Sequence, residues 1–167
     1  RLDEALDHAE SAVSAGESSE ALVVLARVRV ARGDSEEALA LTDRAIAAAE
    51  EAIPGLYLVR GNALTRLQRF EEAEASLRRE IERYPGDAKA YVRLSSLLAR
   101  RGRGGEVRPL LSILVRSNPS APAYAAAIQT LASIGDEESA RALLRQAQET
   151  LPDAARLARL LNQSPPG

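Results

Sequence analysis

Three pairs of adjacent carboxylates, Glu36/Glu37, Glu71/Glu72 and Glu137/Glu138, are the most conspicuous chemistry-bearing pattern in the sequence. Two neighbouring acids can run glycoside hydrolysis. These pairs, however, each open a stretch of helical periodicity, where the helix macrodipole favours negative charge by about 0.3–1 kcal/mol per residue. Recurrence at one structural position marks helix starts rather than a catalytic dyad. The only histidine, His8, lies near Asp7 and Glu10. A metal site there would need two or three further strong ligands, so His8 reads as a solvated helical residue. A serine nucleophile would find no other base. The absence of cysteine removes thiolate nucleophiles, thiolate zinc sites and disulfides together. The run Arg101 to Gly105, RGRGG, lacks the spacing and the lysine of a phosphate-cradling loop and reads as a turn between helices. No catalytic residue, metal ligand or cofactor is expected, and the chain is read as not being an enzyme.

The elements that carry these residues are helices. Of 167 residues 46% are apolar, 28% charged and only 3% aromatic, with alanine and leucine dominant, a balance that favours helix over sheet. The net charge of −2 argues against a nucleic-acid or polybasic membrane binder. The longest apolar runs, such as Ala45 to Ala49, are too short for a transmembrane span or a signal-peptide core. The chain begins at Arg1 and contains no methionine, so a preceding segment is expected. Alanine- and arginine-rich usage suggests a bacterial source, with cytoplasm and periplasm both open.

A period of 33 to 35 residues runs through the chain. Tyr57, Tyr91 and Tyr124 are 34 and 33 apart, and Pro85, Pro119 and Pro152 share those intervals. Ala38, Ala73, Val107 and Ala140 are spaced 35, 34 and 33. Turn signals at Gly33–Asp34, Gly102 to Gly105 and Gly135–Asp136 fall in mid-unit, and prolines close each unit. Between them apolar residues recur at three and four, as in Tyr91, Leu94, Leu97 and Leu98. Each unit is therefore two helices and two turns. Asp34, three residues before Glu37, is placed for a capping box. Pro109 is tolerable only in a first helical turn, which predicts a helix starting near Glu106.

These residues resemble the tetratricopeptide repeat family. Tyr57 to Pro85, YLVRGNALTRLQRFEEAEASLRREIERYP, carries the large residue opening the first helix, Gly61 facing the second, Phe70 at the turn, Ala73 and the closing proline. Gly33 to Glu50 and Ile134 to Pro152 are similar second halves. Departures are Ile128, Val107, Leu114 and Glu80 at small-residue positions, and Arg29 and Leu64 where the family often has tyrosine. The resemblance implies an all-α, right-handed α-solenoid of about four helix-turn-helix repeats with a half repeat at each end. The expected division is one domain over 1–163, with 1–16 as the second helix of a truncated repeat. Repeats follow at 19–51, 54–86, 88–119 and 121–152, then a capping helix at 153–163 and a tail at 164–167.

The charges divide between first and second helices. The windows Ala52–Phe70, Ala88–Gly105 and Ala121–Gly135 carry +8 in a chain of −2, leaving −10 elsewhere. In the family the first helices line the concave side, so a basic inner groove is expected. The resemblance places Val23, Val24 and Arg27, then Leu58, Val59, Asn62 and Arg66, then Lys89, Val92, Arg93, Ser96 and Arg100, then Ala125, Ala126, Gln129 and Ser133 on that face. Arg27, Asn62, Arg66, Lys89, Arg93, Ser96, Arg100 and Gln129 are the candidate peptide-binding residues. Lys89 and Arg93, four apart, can approach one anionic group together. They look like two members of the family's carboxylate clamp, but Val23, Arg27 and Val59 stand where that pattern requires lysine and two asparagines. The implied function is a scaffold holding a protein or peptide segment, acidic or C-terminal. The alternatives are a spacer or self-assembly module of a larger bacterial envelope or secretion protein, associating through its truncated N-terminal end, and a regulatory domain of an enzyme elsewhere. Nucleic acid is not an expected partner, because the three tyrosines are expected in the core, nor is direct membrane insertion.

Overall fold

Each repeat-long stretch of the sequence breaks into two helices, at glycines in the first, third and fourth and at Gln68 in the second. The computed structural model describes residues 1–151 and Leu157, and every regular element among them is helical. The chain divides into two compact units, Arg1–Arg83 and Tyr84–Gly167.

The first unit contains α1 (Leu2–Ala15), α2 (Ser19–Arg32), α3 (Ser35–Ala48), α4 (Leu56–Arg66) and α5 (Phe70–Arg83). Consecutive helices pack on one another, and α2 also meets α4. Ser18 starts α2 by accepting from the Ala21 N–H at 3.1 Å. Gly33 ends α2 with φ +100°, the left-handed conformation that only glycine adopts without strain, and donates to the Arg29 and Val30 carbonyls. The buried stripes are Leu22, Leu25 and Ala26 of α2, Ala38, Leu41 and Ala45 of α3, and Leu56, Ala63 and Leu64 of α4.

Helices α4 and α5 pack on one another with Gly61 in the contact. A Cβ there would stand 2.8 Å from Leu77 Cγ, so the small residue the sequence places opposite the second helix is sterically required. At the equivalent of Gly33 this repeat has Gln68, which takes φ +60° without being glycine.

The expected capping box at α3 is not made. Asp34 precedes α3 but gives no side-chain cap hydrogen bond. The cause is Arg29, at a position where the family often has tyrosine. Its guanidinium draws Asp34 Oδ2 to 3.4 Å and Glu37 Oε2 to 3.2 Å, and also binds Glu10 Oε1 at 2.5 Å. Arg32 pairs with Asp3 and lies 3.6 Å from Asp34. Four carboxylates thus gather on two arginines, joining α1 to the end of α2.

The second unit contains α6 (Ala88–Arg100), α7 (Val107–Ser117), α8 (Ala121–Ser133) and α9 (Glu137–Thr150), with a 3-10 turn at Gly104–Glu106 ahead of α7. Pro109 falls in the first turn of α7, as the sequence requires, because a proline there loses no intrahelical bond. Side-chain caps are made at Asp87 to the Lys89 N–H (3.0 Å), at Ser120 to Ala123 (3.4 Å) and at Asp136 to Ser139 (3.1 Å). Tyr91, Leu94, Leu98, Leu111, Leu114, Tyr124, Ile128 and Leu131 are almost fully buried. The large residues at Val107, Leu114 and Ile128 are therefore absorbed into the core of this unit. Burial pushes the Tyr91 phenol above its ordinary value, with the Ser117 hydroxyl opposing the rise. Among the described residues no hydrogen bond of normal geometry reaches Tyr91 Oη. The expected capping helix at 153–163 lies outside the described residues except for Leu157, which is buried.

Candidate functional site

Helix α6 puts its apolar residues on one side and its cations on the other. Ala90, Tyr91, Leu94, Leu97 and Leu98 are buried, whereas Lys89, Arg93, Ser96 and Arg100 are exposed. Positions 89, 93, 96 and 100 follow the three-and-four spacing of a single helix face. None of Lys89, Arg93 and Arg100 has a carboxylate within 4.0 Å among the described residues. The Ser96 hydroxyl is turned to its own helix and donates to the Val92 carbonyl at 2.9 Å. On α8, Gln129 is exposed beside the buried Ile128 and Thr130, and Ala125 and Ala126 are half-buried.

In the first unit, Arg27 and Arg66 are exposed and Asn62 is half-buried. Arg27 reaches toward the start of α4, where a Cβ built on Gly55 would stand 3.3 Å from its Nη2. Two residues expected on the binding face are not there. Val23 and Val59 are only 2% and 3% exposed. Helix α2 packs against α1, α3 and α4, and this three-sided contact widens the buried stripe until it includes Val23 beside Leu22. Val24, at 48% exposure, is the apolar residue that faces solvent.

The positive charge of the first helices is also less uniform than the sequence suggests. Arg60 is held by second helices, its Nε 3.0 Å from Asp43 Oδ1 on α3 and its Nη1 donating to Ser76 Oγ on α5 at 2.9 Å. Arg69 pairs with Glu72 (2.7 Å) and Arg103 with Glu106 (2.6 Å). The Arg69 hydrogen bond holds the Glu72 carboxyl below its ordinary value and raises the arginine correspondingly. Cations with no acid partner among the described residues include Arg27, Arg66, Arg79 and Arg83 in one unit and Lys89, Arg93 and Arg100 along α6 in the other.

Tyr57 departs from the expected core position. It is half-buried, unlike Tyr91 and Tyr124, and its ring carries the guanidiniums of Arg79 and Arg83 at 5.2 and 5.7 Å from the centroid. Leu56 and Val59 fill the core around it. Beneath it lies Glu80, fully buried at a position where the family usually has alanine. Its carboxylate accepts from the Gly55 N–H (2.6 Å), the Tyr57 N–H (3.0 Å) and the Leu58 N–H (3.3 Å). Gly55, at φ +84°, offers α4 no side-chain cap, so Glu80 caps it from the neighbouring helix. The departure at Glu80 was visible in the sequence, but its partners lie 22 to 25 residues away and no local spacing points to them.

His8 is exposed on α1, and among the described residues no cluster of three or more His, Asp or Glu is placed to hold a metal ion. No helix among them is long and apolar enough to cross a membrane.

The paired helices, Gly61 contact and proline-closed units define an all-α repeat protein. Residues 54–97 match the family model described as tetratricopeptide repeat. A thermophilic tetratricopeptide repeat protein from Thermus thermophilus superposes with a TM-score of 0.71 at 23% identity, over 97% of this chain and 91% of that one. MamA from Desulfovibrio magneticus gives 0.62 at 16%, over 89% and 85%. YrrB, described as a tetratricopeptide repeat protein with an unusual peptide-binding site, gives 0.57 at 24%, over 98% and 84%. No curated protein matches the chain. The fold is that of the tetratricopeptide repeat proteins, an all-α solenoid class.

Proposed function

We propose that the chain is a protein-interaction scaffold whose first-helix surfaces take an acidic or C-terminal peptide segment. The observation that carries this reading is the row Lys89, Arg93, Ser96 and Arg100 on α6, exposed and with no carboxylate partner on any of its cations among the described residues. Four arginines elsewhere, Arg29, Arg60, Arg69 and Arg103, are by contrast paired with carboxylates. Leaving a row of cations unpaired keeps desolvation and steering available for an anionic partner. Arg27, Asn62 and Arg66 in the first unit, and Gln129 on α8, complete the residues assigned to recognition. Asn62 can give and accept a hydrogen bond with an extended backbone. YrrB, described as having a peptide-binding site, supports the reading at the level of fold.

Reversing two charges by Lys89→Glu/Arg93→Glu is expected to weaken capture of an acidic peptide by at least about tenfold, since one lost charged contact is worth about 1.5–3 kcal/mol. A peptide array followed by calorimetry on the strongest binder measures it. Unchanged affinity for the natural partner removes the α6 surface from recognition.

A second reading, self-association through α1, rests on a different observation. Ala5 is half-buried and Ala12 exposed, whereas Ala38, Ala45, Ala73, Ala140 and Ala147 on the other second helices are fully buried. Light scattering over a wide concentration range is expected to show mass growth if α1 pairs between copies. A constant monomer mass rules it out.

A further inference from the structure

We propose that the cleft between α3 and α5 is a second binding site, taking the phosphate monoester of a phosphorylated side chain on a partner protein. The cleft, about 420 Å³, is lined by Asp43, Ile46, Tyr57, Arg60, Ala75, Ser76, Arg79 and Glu82, all within the first unit. It opens where this repeat alone exposes the face of its first helix. Tyr57 and Arg60 are part-exposed, while the equivalent pairs Leu22/Leu25, Tyr91/Leu94 and Tyr124/Ala127 are buried.

Tyr57 is fixed from two sides. Its backbone N–H donates to buried Glu80 at 3.0 Å, and its ring supports Arg79 and Arg83. Those two guanidiniums, four residues apart on α5, are exposed and neither has a carboxylate within 4.0 Å among the described residues. Two like charges gathered over one ring repel each other, and a doubly charged anion relieves both at once with paired N–H donors. A third guanidinium, Arg60, is already committed to Asp43 and Ser76, which orients it and leaves Arg79 against Glu82 in the cleft wall, with Arg83 joining Arg79 at the Tyr57 ring. Ile46 and Ala75 give the wall an apolar portion that suits the carbon stem of an esterified side chain rather than a bare ion.

Titration of the folded protein with phenyl phosphate, followed by NMR of the Tyr57 ring and the arginine Nε–H signals, tests this. Saturable shifts are expected at Tyr57, Arg79 and Arg83, with benzoate binding at least about tenfold more weakly because it carries a single charge. Binding should weaken as the pH falls through about 6, where the monoester dianion takes up a proton and becomes a monoanion. Arg79→Gln/Arg83→Gln should abolish saturation with the helix content unchanged, and Arg83→Lys, which keeps charge but loses the fork, should retain part of it. Three results overturn the proposal: no saturable shift at Tyr57, unchanged affinity in the double glutamine variant, or inorganic phosphate binding as tightly as phenyl phosphate.

Discussion

Replacing Glu80 with alanine is expected to destabilise the protein by about 3 kcal/mol, although alanine is what the family usually carries there. The ordinary reasoning would be that a buried carboxylate is a defect and that the small residue repairs it. Here the carboxylate accepts three backbone N–H groups at the start of α4, and Gly55 supplies no alternative cap. Truncation leaves those three part-buried donors without their acceptor, and a fully buried unsatisfied donor costs about 1–3 kcal/mol. Urea denaturation measures the loss. Hydrogen exchange locates it, because the amides of Tyr57 and Leu58 should lose protection before those of α2. Glu80→Gln should fall between, keeping an oxygen but losing the charge that the helix N-terminus favours. If Glu80→Ala is as stable as the parent, the carboxylate does not cap α4.

The second large effect is expected at Gly61. A leucine there has to fit where even a Cβ would stand 2.8 Å from Leu77 Cγ and 2.9 Å from its Cδ2. Leu77 is 1% exposed, so its side chain can yield only by moving into the surrounding core. Overpacking of this kind costs about 1–3 kcal/mol, and Gly61→Leu should lie at or above the top of that range. Gly61→Ala is the more discriminating change. Its helix-propensity gain of about 1 kcal/mol opposes the clash, and the contact geometry predicts that the clash prevails. Leu77→Ala alone should cost about 2–5 kcal/mol by opening a cavity. Combined with Gly61→Leu it should cost clearly less than the two separate losses together. Strict additivity in that double-mutant cycle means the two residues do not share the space assigned to them.

Much of this architecture was legible in the sequence because a period repeated in tyrosines, prolines and small residues constrains the chain many times over. Gly61 and Pro109 were read correctly, since each has a single steric meaning at its place in a helix. The errors share a cause. Tyr57 keeps the period of Tyr91 and Tyr124 and is expected in the core for that reason, but period fixes position along the chain, not the neighbours that cover it. With Arg60 three residues on and Arg79 and Arg83 across the cleft, the ring is drawn into a charged setting. Asp34 and Glu37 have the spacing of a capping box, yet Arg29 competes for both carboxylates from the preceding helix. Charge along the first helices likewise points to a basic surface, but does not separate Arg60, which crosses to Asp43, from Arg93, which has no acid beside it among the described residues. In each case the missing information was a side chain from another helix.

The arginine pair that gathers Asp3, Glu10, Asp34 and Glu37 makes the seam between α1 and α2 different in kind from the apolar seams further along. Only Ala9 of α1 is buried, so charge carries an unusual share of the attachment of that helix. Exposed ion pairs are weakened by mobile counterions over a Debye length of about 8 Å at physiological ionic strength, whereas apolar contacts are not. The hold of the first helix on its neighbour therefore depends on the surrounding electrolyte.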